Sequence, residues 1–155
     1  MEDLEYHQYE NINDRILLNY PDLTELNILN NKNVTNVNNL TKLIRLDVGG
    51  TCSVDDEGIK KCIKLESLRL GCNNKITDIK HLTNLTKLDI DFSDISQEGI
   101  KNCTKIQSMS LLFNDTITDV NYLTDLTELS YNHDSSMSYY GRAKCEKLVK
   151  CYRSI

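Results

Sequence analysis

The sequence predicts an α/β solenoid, in which short parallel strands stack on a concave face and mixed returns cover the convex face. A motif of leucine-type residues with the spacing L-x-x-L-x-L occurs six times, beginning at Leu23, Leu43, Leu65, Leu85, Ile106 and Leu126. Successive motifs begin 20, 22, 20, 21 and 20 residues apart. Such a regular period is typical of stacked repeats.

Each motif predicts one short strand of a parallel sheet. In the L-x-L half of the motif the two apolar side chains point to the same face, because side chains alternate along a strand. One such strand cannot bury its apolar face alone, so the six strands must stack to form a continuous core. The residues between the leucines then point outward on the concave face.

Two kinds of return alternate between the strands. After the first, third and fifth strands, residues 31–37, 73–79 and 114–120 have the form N-x-x-[VI]-T-[ND]-[VI]. After the second and fourth strands, residues 57–62 and 98–103 have the form E-G-I-K-[KN]-C. We expect the first kind to be extended. The second kind should be briefly helical from about Asp55 and Ser96, whose side chains can accept from free amides.

A polar ladder is predicted at the fifth position after the central leucine of each motif. Asn31, Asn73 and Asn114 occupy this position in one kind of coil, and Thr51 and Ser93 occupy it in the other. A short side chain with a donor and an acceptor can satisfy turn amides that would otherwise be buried and unpaired. We therefore interpret these residues as structural and not catalytic.

The chain is predicted to form one domain over residues 1–155, with a cap at each end. Residues 12–28 align without a gap on residues 95–111, so residues 1–22 should form an N-terminal cap and half repeat. Six coils occupy residues 23–134. Residues 135–155 should form a loop and a capping helix, because Cys145, Leu148, Val149 and Tyr152 recur at helical spacing.

These motifs resemble the leucine-rich repeat family over residues 12–134, with unusually short coils of 20 to 22 residues. Residues 62–65 and 103–106 are similar to the cysteine-containing repeats of F-box substrate receptors, although no F-box is present. Residues 82–88 are more similar to the short internalin and protein-phosphatase-regulator type. The resemblance implies a non-enzymatic scaffold that binds another protein through its concave face and the edge where the strands end. Two alternatives are a substrate-recognition piece of a ubiquitin ligase and a structural subunit of a larger assembly.

Composition limits the compartment and the partners. The formal net charge of -5 argues against binding to nucleic acid. No apolar run approaches the ~18 residues that a membrane span needs, and the first residues do not resemble a signal peptide. The equivalent Cys62 and Cys103 should lie ~9 to 10 Å apart, beyond the ~7 Å limit for a disulfide. We expect a cytoplasmic monomer with free thiols in a reducing compartment, without membrane contact.

No catalytic, cofactor or metal site is predicted. The histidines His7, His81 and His133 fall in different coils or caps, and no cysteine or serine lies at a spacing that suggests a relay. The sequence has no C-x-x-C pair that would suggest a metal site. The segments around Gly49, Gly50 and Gly71 do not contain the lysine and hydroxyl residue of a phosphate-binding loop.

A candidate partner-binding surface is predicted where the strands of the fourth and fifth coils end. Phe92, Leu112 and Phe113 should lie at this edge beside His133, where earlier coils have glycines. Exposed apolar and aromatic residues are typical of protein contacts. Alternatively, Phe92 and Phe113 turn inward and fill the corners of the coils.

The predicted binding surface also includes charged residues of the concave face. Arg69, Asp89 and Asp91 point outward from the third and fourth strands, and Asp47, Arg69 and Asp89 should form an ion ladder across three strands. Exposed pairs of this kind contribute only about 0.2 to 1 kcal/mol each.

Overall fold

The fold is a stack of coils built on one parallel sheet, seen in a computed structural model that describes residues 11–132 and 137–154. The sheet has seven strands in chain order. They are β1 (Glu25–Asn27), β2 (Arg45–Asp47), β3 (Ser67–Arg69), β4 (Lys87–Asp89), β5 (Ser108–Ser110), β6 (Glu128–Asn132) and β7 (Lys150–Ser154). The central residues of the motifs pair in register, as Leu46 does with Leu26 and Leu68. The predicted solenoid is confirmed.

The core runs continuously between the sheet and the returns. The inward residues of every predicted motif from Leu26 to Tyr131 are buried, as are the apolar residues of the returns. The extended returns contain no helix among the described residues, whereas α1 (Asp14–Leu17), α2 (Gln97–Ile100) and a 3-10 helix at Glu57–Ile59 form the other kind. The prediction of two alternating returns is therefore confirmed.

Side-chain caps start the helical returns as the sequence predicts. The Asp55 carboxylate accepts from the Gly58 amide at 2.9 Å, and the Ser96 hydroxyl accepts from the Gly99 amide at 3.3 Å. In α1, Asn13 accepts from the amides of Arg15 and Ile16. Helix α1 therefore occupies the aligned place of α2.

Glycines in the helical returns allow each return to lie against the preceding extended one. A β-carbon at Gly58, Gly99 or Gly141 would collide with the carbonyl oxygen of Thr35, Thr77 or Thr118 respectively. The same glycines accept hydrogen bonds from the extended returns, where Val37, Ile79 and Val120 donate their amides at 2.9, 2.9 and 2.7 Å. Two unlike returns therefore fit together as a pair.

The predicted C-terminal capping helix is wrong, because this segment forms a seventh coil. It contains a 3-10 helix at Tyr140–Arg142 followed by β7, which pairs with β6 in parallel. The helical spacing of its apolar residues is coincidental. Gly141, Cys145 and Leu148 repeat the spacing of Gly58, Cys62 and Leu65.

The asparagine ladder is buried at its centre. Asn73 donates to the carbonyl of Val48 at 2.7 Å, and Asn114 donates to those of Ser93 and Ile95 at 2.9 and 3.0 Å. The place predicted for Thr51 is wrong, because this side chain is exposed. The segment from the end of β2 to Gly58 is one residue longer than the equivalent segment from the end of β4 to Gly99. Cys52 consequently takes the buried place of Ser93.

Candidate protein-binding site

A column of left-handed backbone conformations follows the strands at the edge of the sheet. The residues four positions after the central leucine have positive φ in five consecutive coils: Asn30 (62°), Gly50 (65°), Cys72 (63°), Phe92 (55°) and Phe113 (57°). The backbone is held there by the next coil, since Cys72 and Phe92 donate their amides to the carbonyls of Asp91 and Leu112 at 2.8 Å. The fold fixes this conformation whichever side chain is present.

Phe92 and Phe113 form an exposed aromatic stack at this edge. Their ring centroids lie 4.4 Å apart with an interplanar angle of 19°. The residues are 51% and 54% exposed, so the alternative that they fill the corners of the coils is wrong. A left-handed conformation costs a residue with a β-carbon about 1–2 kcal/mol. Two bulky side chains therefore occupy positions for which asparagine or glycine is better suited.

Leu112 and Asp91 directly precede the stacked residues Phe113 and Phe92 in the two loops that carry them. Leu112 is half-buried, and its amide donates to Oδ1 of Asp91 at 2.7 Å. The Ser110 hydroxyl donates to the same oxygen, also at 2.7 Å. Partial burial nevertheless raises the pKa of the Asp91 carboxyl. Asp91 thus fixes the loop that carries Phe113 and is not a freely exposed contact residue.

The predicted ion ladder crosses three neighbouring strands of the concave face. The Arg69 guanidinium lies 3.6 Å from an oxygen of Asp47 and 3.4 Å from one of Asp89. Arg69 remains exposed. One guanidinium lies between two carboxylates, so the ladder keeps one excess negative charge.

A shallow depression of ≈ 210 Å³ lies beside the ladder on the concave face. Its lining includes Ser67, Ser108, Ser110 and Ser130 between the charged residues Arg69, Lys87, Asp89 and Glu128. The Glu128 carboxylate pairs with Lys150 at 2.5 Å, and this contact lowers the pKa of Glu128 and raises that of Lys150.

The seventh strand adds Tyr152 to this depression. Sequence reasoning missed Tyr152 because it placed the residue on a helix. The sequence feature that could have placed it is the spacing of Gly141, Cys145 and Leu148, which matches that of Gly58, Cys62 and Leu65. This alignment puts Tyr152 in the same column as Arg69 and Asp89. His133, predicted to lie beside the aromatic stack, is outside the described residues.

A column of thiols lines the convex side, away from the aromatic stack. Cys62, Cys103 and Cys145 direct their sulfur atoms at the carbonyls of Val37, Ile79 and Val120, at 3.6, 3.3 and 3.3 Å. Burial raises the thiol pKa to about 11 at Cys62 and about 12 at Cys103. All six thiols are free. Such high pKa values suit packing and not nucleophilic chemistry.

Residues 11–132 and 137–154 contain neither a membrane-spanning helix nor a cluster of metal ligands. No helix in these ranges has the length and apolar character required to cross a membrane. Nor do these ranges group three or more histidine, cysteine, aspartate or glutamate side chains in a way that could hold a metal ion.

Comparisons with known proteins agree with this architecture. The "Leucine Rich repeat" family model matches residues 61–79 and 81–102. No curated protein sequence matches the chain.

Three solved structures from Listeria monocytogenes are similar in fold. The functional domain of InlJ, described as including a cysteine ladder, is 22% identical with a TM-score of 0.67. Internalin C2 is 23% identical and internalin F 22%, each with a TM-score of 0.62. These alignments cover 85%, 86% and 87% of the chain but only 30%, 67% and 49% of the three structures, in the same order.

The repeated motif, the parallel sheet and the ladder of asparagines agree with the matched repeats and with the internalin likeness. Leucine-rich repeat folds are typical of protein-interaction scaffolds. Two repeats of this chain match the leucine-rich repeat family model, and its fold is that of the leucine-rich repeat solenoids.

Proposed function

We propose that this protein is a non-enzymatic scaffold that binds another protein through the edge where the strands end and the adjoining concave face. The observation that carries the proposal is the Phe92–Phe113 stack, exposed and held in a left-handed conformation. Strained residues cluster at functional sites. Exposed aromatic residues are frequent anchors of protein interfaces.

The concave face supplies the polar part of the proposed contact. Arg69, Asp89 and Tyr152 lie in one column at the depression, and a polar surface around an apolar centre is typical of protein interfaces. Burial raises the pKa of Cys62 and Cys103, which argues against their use as nucleophiles. The six free thiols accord with a reducing, cytoplasmic location. No feature of the described residues favours the ubiquitin-ligase alternative.

Comparative capture tests the proposal. Wild-type protein, F92S/F113S and the control Y139S/Y140S would be immobilised and exposed to extract from the cells that make the protein. Tyr139 and Tyr140 form a second exposed aromatic pair, with centroids 5.9 Å apart, at the far end of the chain. We expect a protein that binds wild type and the tyrosine control at equal levels and is lost with F92S/F113S. Equal capture by all three would contradict the proposed site.

A further inference from the structure

The acidic residues beside the aromatic stack carry an inference about the partner. Asp94 and Asp115 each follow a stacked phenylalanine by two residues, and both are exposed. Neither takes part in an ion pair within the described parts of the chain. Two residues after their own left-handed residue, the three preceding coils have Lys32, Cys52 and Asn74. A carboxylate therefore accompanies an aromatic ring in both coils that carry one, and in none of the three before them.

The rings offer a surface that attracts cations. Stacking covers one face of each ring, and the residues remain about half exposed. The face of an aromatic ring carries negative electrostatic potential. A guanidinium lying on such a face is attracted to it, and its planar shape matches a ring better than an ammonium does. The chain already has contacts of this kind, since the Arg142 guanidinium lies 5.4 Å from the ring centroid of Tyr131 and 5.5 Å from that of Tyr139.

We propose that the Phe92–Phe113 stack, with Asp94 and Asp115, receives an arginine side chain of a protein partner. The guanidinium lies over an open phenyl face and its donors face the carboxylates. This inference rests on the proposed function and adds the chemistry of the partner: an arginine-containing, basic segment. The net charge of -5 favours the approach of such a segment.

An NMR titration with hexa-arginine peptide tests the proposal directly. We expect amide shifts concentrated in residues 91–94 and 112–115, with hexalysine binding several-fold more weakly and hexaglutamate producing no shifts. The F92S/F113S and D94N/D115N variants should each weaken hexa-arginine binding at least fivefold. E66Q/E146Q removes the same charge from two exposed carboxylates elsewhere and should bind like wild type.

Three results would overturn the inference. They are shifts outside these two loops, equal binding of hexa-arginine and hexalysine, or an equal loss in E66Q/E146Q, which would indicate general attraction to an acidic protein. The proposed function is tested separately by the captured protein. If that protein is lost with F92S/F113S but kept with D94N/D115N, the scaffold function stands and the arginine proposal fails.

Discussion

At the scale of the residue, the five positions with positive φ share one backbone conformation but carry very different side chains. At Gly50 a β-carbon would collide with the end of the Asn30 side chain, which would have to move, and the positive φ of 65° itself favours glycine there. At Phe92 and Phe113 the same conformation carries the bulkiest side chains of the column. The fold provides no reason for these two residues, which is why a function is the better explanation.

Asparagine should replace both phenylalanines without loss of stability. Asn30 already occupies this position in the first coil. In F92N/F113N, asparagine relieves part of the cost of about 1–2 kcal/mol per residue, because its short polar side chain tolerates this conformation better than phenylalanine does. This relief offsets the ~0.5–1.5 kcal/mol of the ring contact. We expect the free energy of unfolding, measured by urea denaturation, to equal or exceed that of wild type. A loss of more than about 2 kcal/mol would assign the rings to the core.

The buried asparagines should carry stability. N114A removes a side chain that donates to two carbonyls and accepts from Thr116 and Ile117. Because its partners stay buried, we expect a loss of about 1 to 3 kcal/mol in the free energy of unfolding. T51A is the control, because Thr51 has the same sequence spacing but is exposed and lies outside the ladder. It should change stability by less than about 0.5 kcal/mol. Equal effects of the two variants would refute the ladder.

At the scale of the element, the strands could be predicted and the last coil could not. Strands β1 to β6 follow from the L-x-x-L-x-L spacing because each inward position is apolar. In β7, Cys151 and Arg153 replace the second and third leucine-type residues of the motif. The alternation of apolar residues that predicts a strand is therefore missing from β7, although the preceding return keeps Gly141 and Cys145.

The candidate site was only partly accessible from sequence. The spacing places Phe92 and Phe113 at the strand ends, but it does not decide whether they turn in or out. That depends on φ, which changes sign at this position because each amide is held by the next coil. Tyr152 could be assigned to the depression on the concave face only once β7 was known to be a strand.

The cysteine column predicts a sharp division of thiol reactivity. Cys72 and Cys151 are exposed, whereas Cys52, Cys62, Cys103 and Cys145 are buried. With Ellman's reagent at pH 8, we expect two thiols to react rapidly in the native protein and four to react only on unfolding. Rapid reaction of a third thiol would show that the column is open to solvent.

The same column makes the protein sensitive to alkali. Burial raises the pKa of Cys62 from 9.0 to about 11 and that of Cys103 from 9.0 to about 12. A thiol whose pKa is higher in the folded state stabilises the fold fully below pH 9, and this stabilisation is lost as the pH rises towards 11 and 12. We expect stability measured by urea denaturation to fall over this window, and to fall less steeply in C62A/C103A. Identical slopes would exclude the thiols as the cause.

At the scale of the whole molecule, the two faces of the last coil differ from those of the interior coils. Arg142 occupies the place of Ile59 and Ile100, and Arg153 occupies that of Leu70 and Leu111. Tyr139 takes the place of Asp56, whose carboxylate accepts from the Thr77 amide of the next coil at 2.8 Å. These substitutions make the seventh coil a poor template for stacking an apolar coil, and they argue against end-to-end assembly.

Restoring the apolar residues should therefore create self-association. In R142I/R153L the end of the core would present the isoleucine and leucine found in interior coils. We expect sedimentation velocity to show concentration-dependent oligomers for R142I/R153L and a monomer for the wild type. The conservative control R142K/R153K should behave like the wild type. Oligomers of the wild type would favour the structural-subunit alternative.

The pairing of unlike returns has a consequence for how proteins of this design change length. A glycine-bearing helical turn fits only against an extended turn whose threonine carbonyl lies beneath it. Duplicating a single coil would bring two turns of one kind together and leave their amides without matching acceptors. Duplications that keep every junction intact add two coils at once, in steps of 41 or 42 residues. Such a chain would therefore lengthen by pairs of coils, although its motif repeats once in every coil.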